Sequence, residues 1–303
     1  MAAIKAKKQR IKPTKLEKKE RRIALAFVAP LFIGFIVFTM VCMVISVIQS
    51  FTDYNPISGD MNFVGVQNYV DLFTHPAYSK AFKNAIVNTL VLILATPITV
   101  MLSLVIAALI CNKRFRGKTF FRVIVYLPAV TSIVAINFIW NYMFKEPGGF
   151  INSILGTHTE WLKDDWLVKV AMIIKNVWGG LGVQVIMFMA GIQNIPEECY
   201  EAADIDGAGP IKKFFKVTIP LVTPVIFYTI ITGLINGFQM YTDVQLFAGG
   251  QYGARTIVHF IWQYGIGSNQ YGLASAASFL LAFVIMIFTA VQFKFNKWVQ
   301  YTE

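Results

Sequence analysis

Charge of either sign is scarce: Asp, Glu, Lys and Arg make up 14% of the chain, and only 16 residues are acidic. Soluble domains carry about 25% charged residues, so a chain that is 56% hydrophobic and this poor in charge lacks an ordinary soluble surface. Cysteine is also scarce. The three thiols, Cys42, Cys111 and Cys199, form an odd set with no metal-ligand spacing, and all read as structural. The three histidines fall in connecting segments: His75 and His158 in outer loops, His259 in the last long loop. No HExxH occurs and no carboxylate pair lies inside a span. Acids within a bilayer are costly and usually functional, so their scarcity argues against an intramembrane enzyme and a proton-coupled carrier. The net charge of +11 comes without any RNP, zinc-finger or helix-turn-helix pattern, and no nucleic-acid partner is read from it. Gly117-Lys118-Thr119 ends like a phosphate-binding loop, but Asn112 stands where the first glycine is needed, so no nucleotide site follows.

What is present is a series of long uncharged runs. Ile23–Phe51 is the first, long enough to cross about 30 Å of hydrocarbon. Asn84–Asn112, Val123–Phe144 and Asn176–Pro196 (starting nearer Val170) follow, then a run from about Pro220 to Tyr241. Thr256–Phe293 is too long for one helix. Its glycine-rich part (Gly265, Gly267, Gly272) reads as a loop or short surface helix, and Leu273–Phe293 as the sixth span. The expected fold class is an all-α polytopic membrane protein with six transmembrane helices. Residues 1–22 form a basic, disordered cytoplasmic arm, 23–293 the transmembrane domain and 294–303 a cytoplasmic tail.

Orientation follows from the loops. With the amino terminus inside, 20 of the 27 Lys/Arg residues fall in cytoplasmic segments, which places both termini in the cytoplasm. Trp161 and Trp166 then sit near the outer interface. Lys175, at the mouth of the fourth span, reads as a snorkelling lysine.

The acids are unevenly spread: Glu197, Glu198, Glu201, Asp204 and Asp206 lie within ten residues, in the cytoplasmic loop before the fifth span. Pro196 suits a first helical position, and Glu197 and Glu198 complement the helix dipole. Glu197, Glu201 and Ile205 share one face, Ala202 and Ala203 keep the middle thin, and Gly207 stops the helix. Pro210 starts a second short helix with Lys212, Lys213 and Lys216, and Ile219-Pro220 leads back to the membrane. Such an element either transmits force from a cytoplasmic partner or is a solvated connector.

Glu201-Ala202-Ala203, Gly207, Val217, Ile219 and Pro220 resemble the EAA motif of ABC importer permeases. "LFAGGQYGART" (246–256) and "YGLASAASFLLAF" (271–283) are similar to segments of the carbohydrate-uptake branch, the maltose and glycerol-phosphate permeases. Gln251 and Ala248 depart from that branch's usual Pro and Thr. The resemblance implies a type I ABC importer permease fold in a bacterial cell membrane. It implies that residues 196–220 couple to an ATPase, with Glu197, Glu201, Ala202, Ala203, Asp204, Gly207 and Pro220 at the dock. It further implies a second, homologous permease in a heterodimer, two ATPase subunits that hold ATP and Mg, and an extracytoplasmic solute-binding protein. The chain itself then binds no cofactor. The implied cargo is a sugar or oligosaccharide; a polyol phosphate or other small polar solute is the alternative.

Polar groups within spans three to five are the candidates for lining the passage: Asn137, Trp140 and Asn141; Trp178 and Gln184; Asn236, Gln239, Tyr241 and Asp243. The first three share a helix face. Asn and Gln also bond between helices, and Trp packs at interfaces, so each candidate carries a packing alternative. Asn236, Gln239 and Tyr241 stand out because they follow the coupling element directly.

Overall fold

The computed structural model describes residues 15–112 and 115–294. Residues 1–14 of the basic arm, Lys113 and Arg114 of the second basic loop, and 295–303 of the tail lie outside the described residues.

Four continuous helices are long and apolar enough to cross a membrane: Lys18–Ser50, Ser79–Cys111, Leu167–Gln193 and Tyr271–Lys294. Two bent pairs, Lys118–Val130 with Ile133–Phe144 and Pro210–Leu221 with Thr223–Phe238, bring the number to six. Helices suit this setting because they satisfy every backbone donor and acceptor internally where no water is available.

The second and fourth spans form the centre and pack along their length. Toward the ends of Ser79–Cys111 and Leu167–Gln193, Val100, Leu104, Ala107 and Ile110 meet Val185, Phe188, Met189 and Ile192 in one buried cluster. The first half of the third span packs on the fourth where a Cβ on Gly182 would stand 2.8 Å from the Ala129 Cβ and 3.0 Å from the Val125 carbonyl oxygen. Close backbone approach through small residues is how helices associate in lipid, where apolar burial gives no drive. The first span is different: none of its most apolar stretch is buried. Only its last part, Val41–Ser50, packs along the sixth span.

Three expectations are corrected. The helix preceding the first span begins at Lys15, so residues 15–22 are helical rather than disordered. Its start, KLEKKERR, consists of good helix formers. The third span is not one straight helix. Its halves meet at 102°. Pro128 has no N–H to donate in the last turn, Thr131 and Ser132 are extended, and the Thr131 hydroxyl donates to the Leu127 carbonyl at 2.7 Å.

The glycine-rich segment is not a surface feature either. It forms the helix Ile257–Trp262 and a wider turn Gln263–Gly267, with Ile257, His259, Phe260 and Gly265 buried. Two contacts bolt it to the second span: the Asn88 amide donates to the Arg255 carbonyl and the Ile257 N–H to the Thr89 hydroxyl, both at 3.0 Å. Gly272 opens the sixth span against the corner after the first, where a Cβ would lie 2.0 Å from the Thr52 carbonyl oxygen.

Candidate functional site

The first site is the element between the fourth and fifth spans. Pro196 is extended (ψ 134°), one residue before the helix Glu197–Ile205 rather than inside it. Glu197 and Glu198 occupy the first turn. Gly207 is left-handed at φ +66°, its N–H donates to the Asp204 carbonyl at 3.0 Å, and the Ala208 N–H to the Ala203 carbonyl at 2.8 Å. That pair of bonds is a Schellman stop, which glycine adopts without a steric penalty. Pro210 starts the second helix, as expected.

Internal ties then join the two short helices. The Lys213 ammonium pairs with the Asp204 carboxylate, and Tyr200 Oη lies 3.0 Å from Thr218 Oγ1. Asp204 is therefore engaged within the element. The chain turns by 68° near Val222 and enters Thr223–Phe238, with Pro220 just before the turn. Glu201 and Ala202 are exposed and Ala203 is half-buried. Around them stand exposed apolar side chains: Ile205 is 88% exposed, Ile211 76% and Phe215 59%. Ile211 and Phe215 were not singled out from the sequence. Their i, i+4 spacing just after Pro210 is the signal that would have found them.

The second site lies deeper. Lys175 is not a snorkelling lysine; it is buried at 2% exposure and forms an ion pair with Asp243. Lys175 Nζ also donates to Asn137 Oδ1 at 3.0 Å, and Asn137 Nδ2 donates to Asp243 Oδ1 at 2.9 Å. Three elements thus meet at one point: the second half of the third span, the fourth span, and the short helix Thr242–Ala248 that follows the fifth. Asn141 Nδ2 fastens the same short helix through the Phe247 carbonyl at 2.6 Å. Beside the network, the rings of Trp140 and Trp178 meet edge to face with centroids 5.6 Å apart.

The passage candidates therefore divide. Asn137, Trp140, Asn141, Trp178 and Asp243 come together. Tyr241 stays next to this group in sequence, but its ring packs on His259 and Trp262. Gln184 stands elsewhere on the fourth span, half-buried, with its Oε1 buried and without a partner among the described residues. Asn236 and Gln239 are exposed at the end of the fifth span, and among the described residues neither hydrogen-bonds to the network. Trp166 is exposed, whereas Trp161 is half-buried and its indole N–H donates to Asn152 Oδ1 at 2.9 Å. Among the described residues no group of His, Cys, Asp and Glu could hold a metal ion.

Residues 77–301 match the family described as "Binding-protein-dependent transport system inner membrane component". The chain belongs to this family. Similar relatives include the arabinooligosaccharides transport system permease protein AraP of Halalkalibacterium halodurans, 31% identical over 282 residues, covering 90% of this chain and 87% of that protein. The multiple sugar-binding transport system permease protein MsmF of Streptococcus mutans is 32% identical, covering 82% and 86%. The sn-glycerol-3-phosphate transport system permease protein UgpA of Salmonella choleraesuis is 29% identical, covering 81% and 84%. A chain from a crystal structure of a bacterial alginate ABC transporter, in complex with alginate pentasaccharide-bound periplasmic protein, superposes with a TM-score of 0.81. It covers 94% of this chain and 98% of that one at 23% identity, a likeness of fold. The chain is thus an inner-membrane permease component of an ABC importer, with the six-span fold that the resemblance implied.

Proposed function

We propose that this chain is one of two permease subunits in an ATP-driven importer. It carries a sugar or oligosaccharide, delivered by an extracytoplasmic binding protein, by alternating access. The observation that carries this reading is the element from Pro196 to Pro220. It projects exposed apolar and acidic side chains outward, yet it is tied internally and continuous with the fifth span. The Asp204–Lys213 and Tyr200–Thr218 contacts make its two helices move together. A partner that pushes on Glu201, Ile205, Ile211 and Phe215 therefore moves Thr223–Phe238, and with it the short helix that carries Asp243.

In this reading the partner is a separate ATPase, which binds ATP and Mg. Glu197, Glu201, Ala202, Ala203 and Gly207 form the dock, and both termini face the cytoplasm. The first span, whose apolar face the rest of the chain leaves uncovered, faces lipid and the second, homologous permease. The sugar class is supported by the names of relatives that span most of the chain, among them an arabinooligosaccharide permease and a multiple-sugar permease.

The test is reconstitution of this chain with its second permease, ATPase and binding protein in vesicles, with arabinotriose as the probe. Uptake is expected only with all components and ATP, and cargo-loaded binding protein should stimulate hydrolysis. Transport by vesicles that contain this chain and an ATPase alone, or hydrolysis indifferent to loaded binding protein, would contradict the proposal.

A further inference from the structure

Lys175 lies eight residues into the helix Leu167–Gln193, about 12 Å along it at 1.5 Å per residue. Its charge is therefore set below the end of a membrane-spanning helix, and Asp243 is held at the same depth. Lys175 is nearly inaccessible, but the Asp243 side chain keeps 24% of its exposure. Both hydrogen bonds to this carboxylate, from Lys175 and from Asn137, end on Oδ1. Among the described residues Oδ2 has no bond, and it is not among the buried atoms that lack a partner, so it is open to the outside of the chain.

A carboxylate open at this depth does not face hydrocarbon, because an ionised group at membrane depth turns to the bundle interior or to a water-filled cavity. Its charge is already balanced by Lys175. A second cation would leave the site with excess positive charge, whereas an uncharged O–H donor fills the free lone pairs and keeps the site neutral. Trp140 and Trp178, one turn away from Asn137 and Lys175, supply aromatic surface beside it. A carboxylate acceptor beside aromatic rings suits a polyol: hydroxyls donate to the oxygen and C–H faces lie on the rings.

We propose that Asp243 is a specificity-determining residue of the passage: Oδ2 accepts from a hydroxyl of a neutral saccharide, whereas an ionised carboxylate of an anionic one has no hydrogen to donate there. The proposal rests on the sugar-permease reading and deepens it by assigning the charge of the cargo. Both charge classes occur among proteins of this fold and family: one relative is named for arabinooligosaccharides, which are neutral, another for the anionic sn-glycerol-3-phosphate, and a transporter of similar fold imports the acidic polysaccharide alginate.

The test uses the complete purified transporter and two labelled probes, arabinotriose and tri-galacturonate. Equilibrium binding to the solubilised complex is measured alongside uptake into vesicles with binding protein and ATP. The wild-type complex should bind arabinotriose in clear preference to tri-galacturonate. Asp243→Asn combined with Lys175→Gln keeps amides at both positions and removes both charges. This double variant should lose about tenfold or more in arabinotriose affinity, the share of a hydrogen bond to a charged acceptor. Its preference for the neutral probe should shrink at the same time. A merely structural role would lower the amount of assembled complex without changing the ratio between probes.

Equal binding of both probes by wild type, or an unchanged ratio in an assembled double variant, overturns the assignment. The wild-type ratio decides even if the double variant does not assemble. Wild-type uptake of arabinotriose with an unchanged ratio in the variant defeats only the role of Asp243. No binding and no uptake of either probe defeats the sugar reading and this proposal with it.

Discussion

Replacing Lys175 by Met is the sharpest single perturbation of the membrane-depth network. Methionine fills a similar volume but leaves Asp243 without its countercharge and Asn137 Oδ1 without the bond from Lys175 Nζ. Breaking a buried ion pair from one side costs about 3–5 kcal/mol, because the remaining charge stays desolvated. Asp243 keeps 24% of its exposure and can draw some water, which places the cost at the lower end, about 3 kcal/mol. That is roughly a hundredfold change in the folded-to-unfolded ratio. Adding Asp243→Leu removes the stranded charge. Replacing a buried pair by apolar residues is often neutral or stabilising, so the double variant should recover most of the loss. Size-exclusion recovery of the detergent-solubilised complex after graded heating reads both effects, and the double-mutant cycle gives the coupling. If Lys175→Met withstands heating like the wild type, or the double variant is as labile as the single, the network does not hold these three elements together.

Gly182→Leu would drive a side chain into Ala129 and the Val125 carbonyl, and overpacking of this kind costs about 1–3 kcal/mol; the loss should appear as a lower heating midpoint. Gly272→Val meets the Thr52 carbonyl oxygen, where Asn68 Nδ2 also donates at 2.8 Å, and should cut the amount of complex in the membrane more than Gly267→Val, whose Cβ has open space. Asn236→Ala and Gln239→Ala remove exposed polar groups at the end of the fifth span. If they line the passage, each should lower uptake by a few-fold to about tenfold with assembly intact, the range for a lost hydrogen bond. Normal uptake at limiting cargo would remove them from it.

How much of this was legible in the sequence depends on what each feature rests on. The first, second, fourth and sixth spans are visible because an uncharged run long enough to cross a bilayer has few other uses. The bend in the third was not visible, since hydropathy carries no direction; Pro128 was the one local sign. The helix–glycine–helix geometry of residues 196–220 was legible because its parts are local: a proline just before the first helix, a glycine stop, a second proline. Lys175 was misread because its partners, Asn137 and Asp243, are distant in the chain and only packing brings them together. The burial of the helix Ile257–Trp262 was hidden inside a run too long for one span, where glycines suggested a loop or a short surface helix. Its burial comes from contacts with Asn88 and Thr89, again far away in sequence. The spacing of Asn137, Trp140 and Asn141 on one helix was readable, whereas Asn236 and Gln239, singled out for following the acidic element, lie exposed at the end of the fifth span.

In the proposed mechanism, the element from Pro196 to Pro220 passes force between a separate ATPase and the spans. This transfer is tested most directly by Glu201→Arg in fully reconstituted vesicles, with ATP hydrolysis and uptake followed together, with and without loaded binding protein. Glu201 is exposed and lies outside the spans, so insertion should be unaffected. Reversing a charge at a dock can cost about 2–5 kcal/mol once the pair is desolvated, enough to weaken retention of the ATPase. Gly207→Val, which forces a β-branched residue to φ +66°, should give the same phenotype through the shape of the turn. Permease should reach the membrane in normal amounts, with loss of both uptake and cargo-stimulated hydrolysis. A Glu201→Arg transporter that keeps its ATPase and imports at the wild-type rate would show that the acidic element is only a solvated connector.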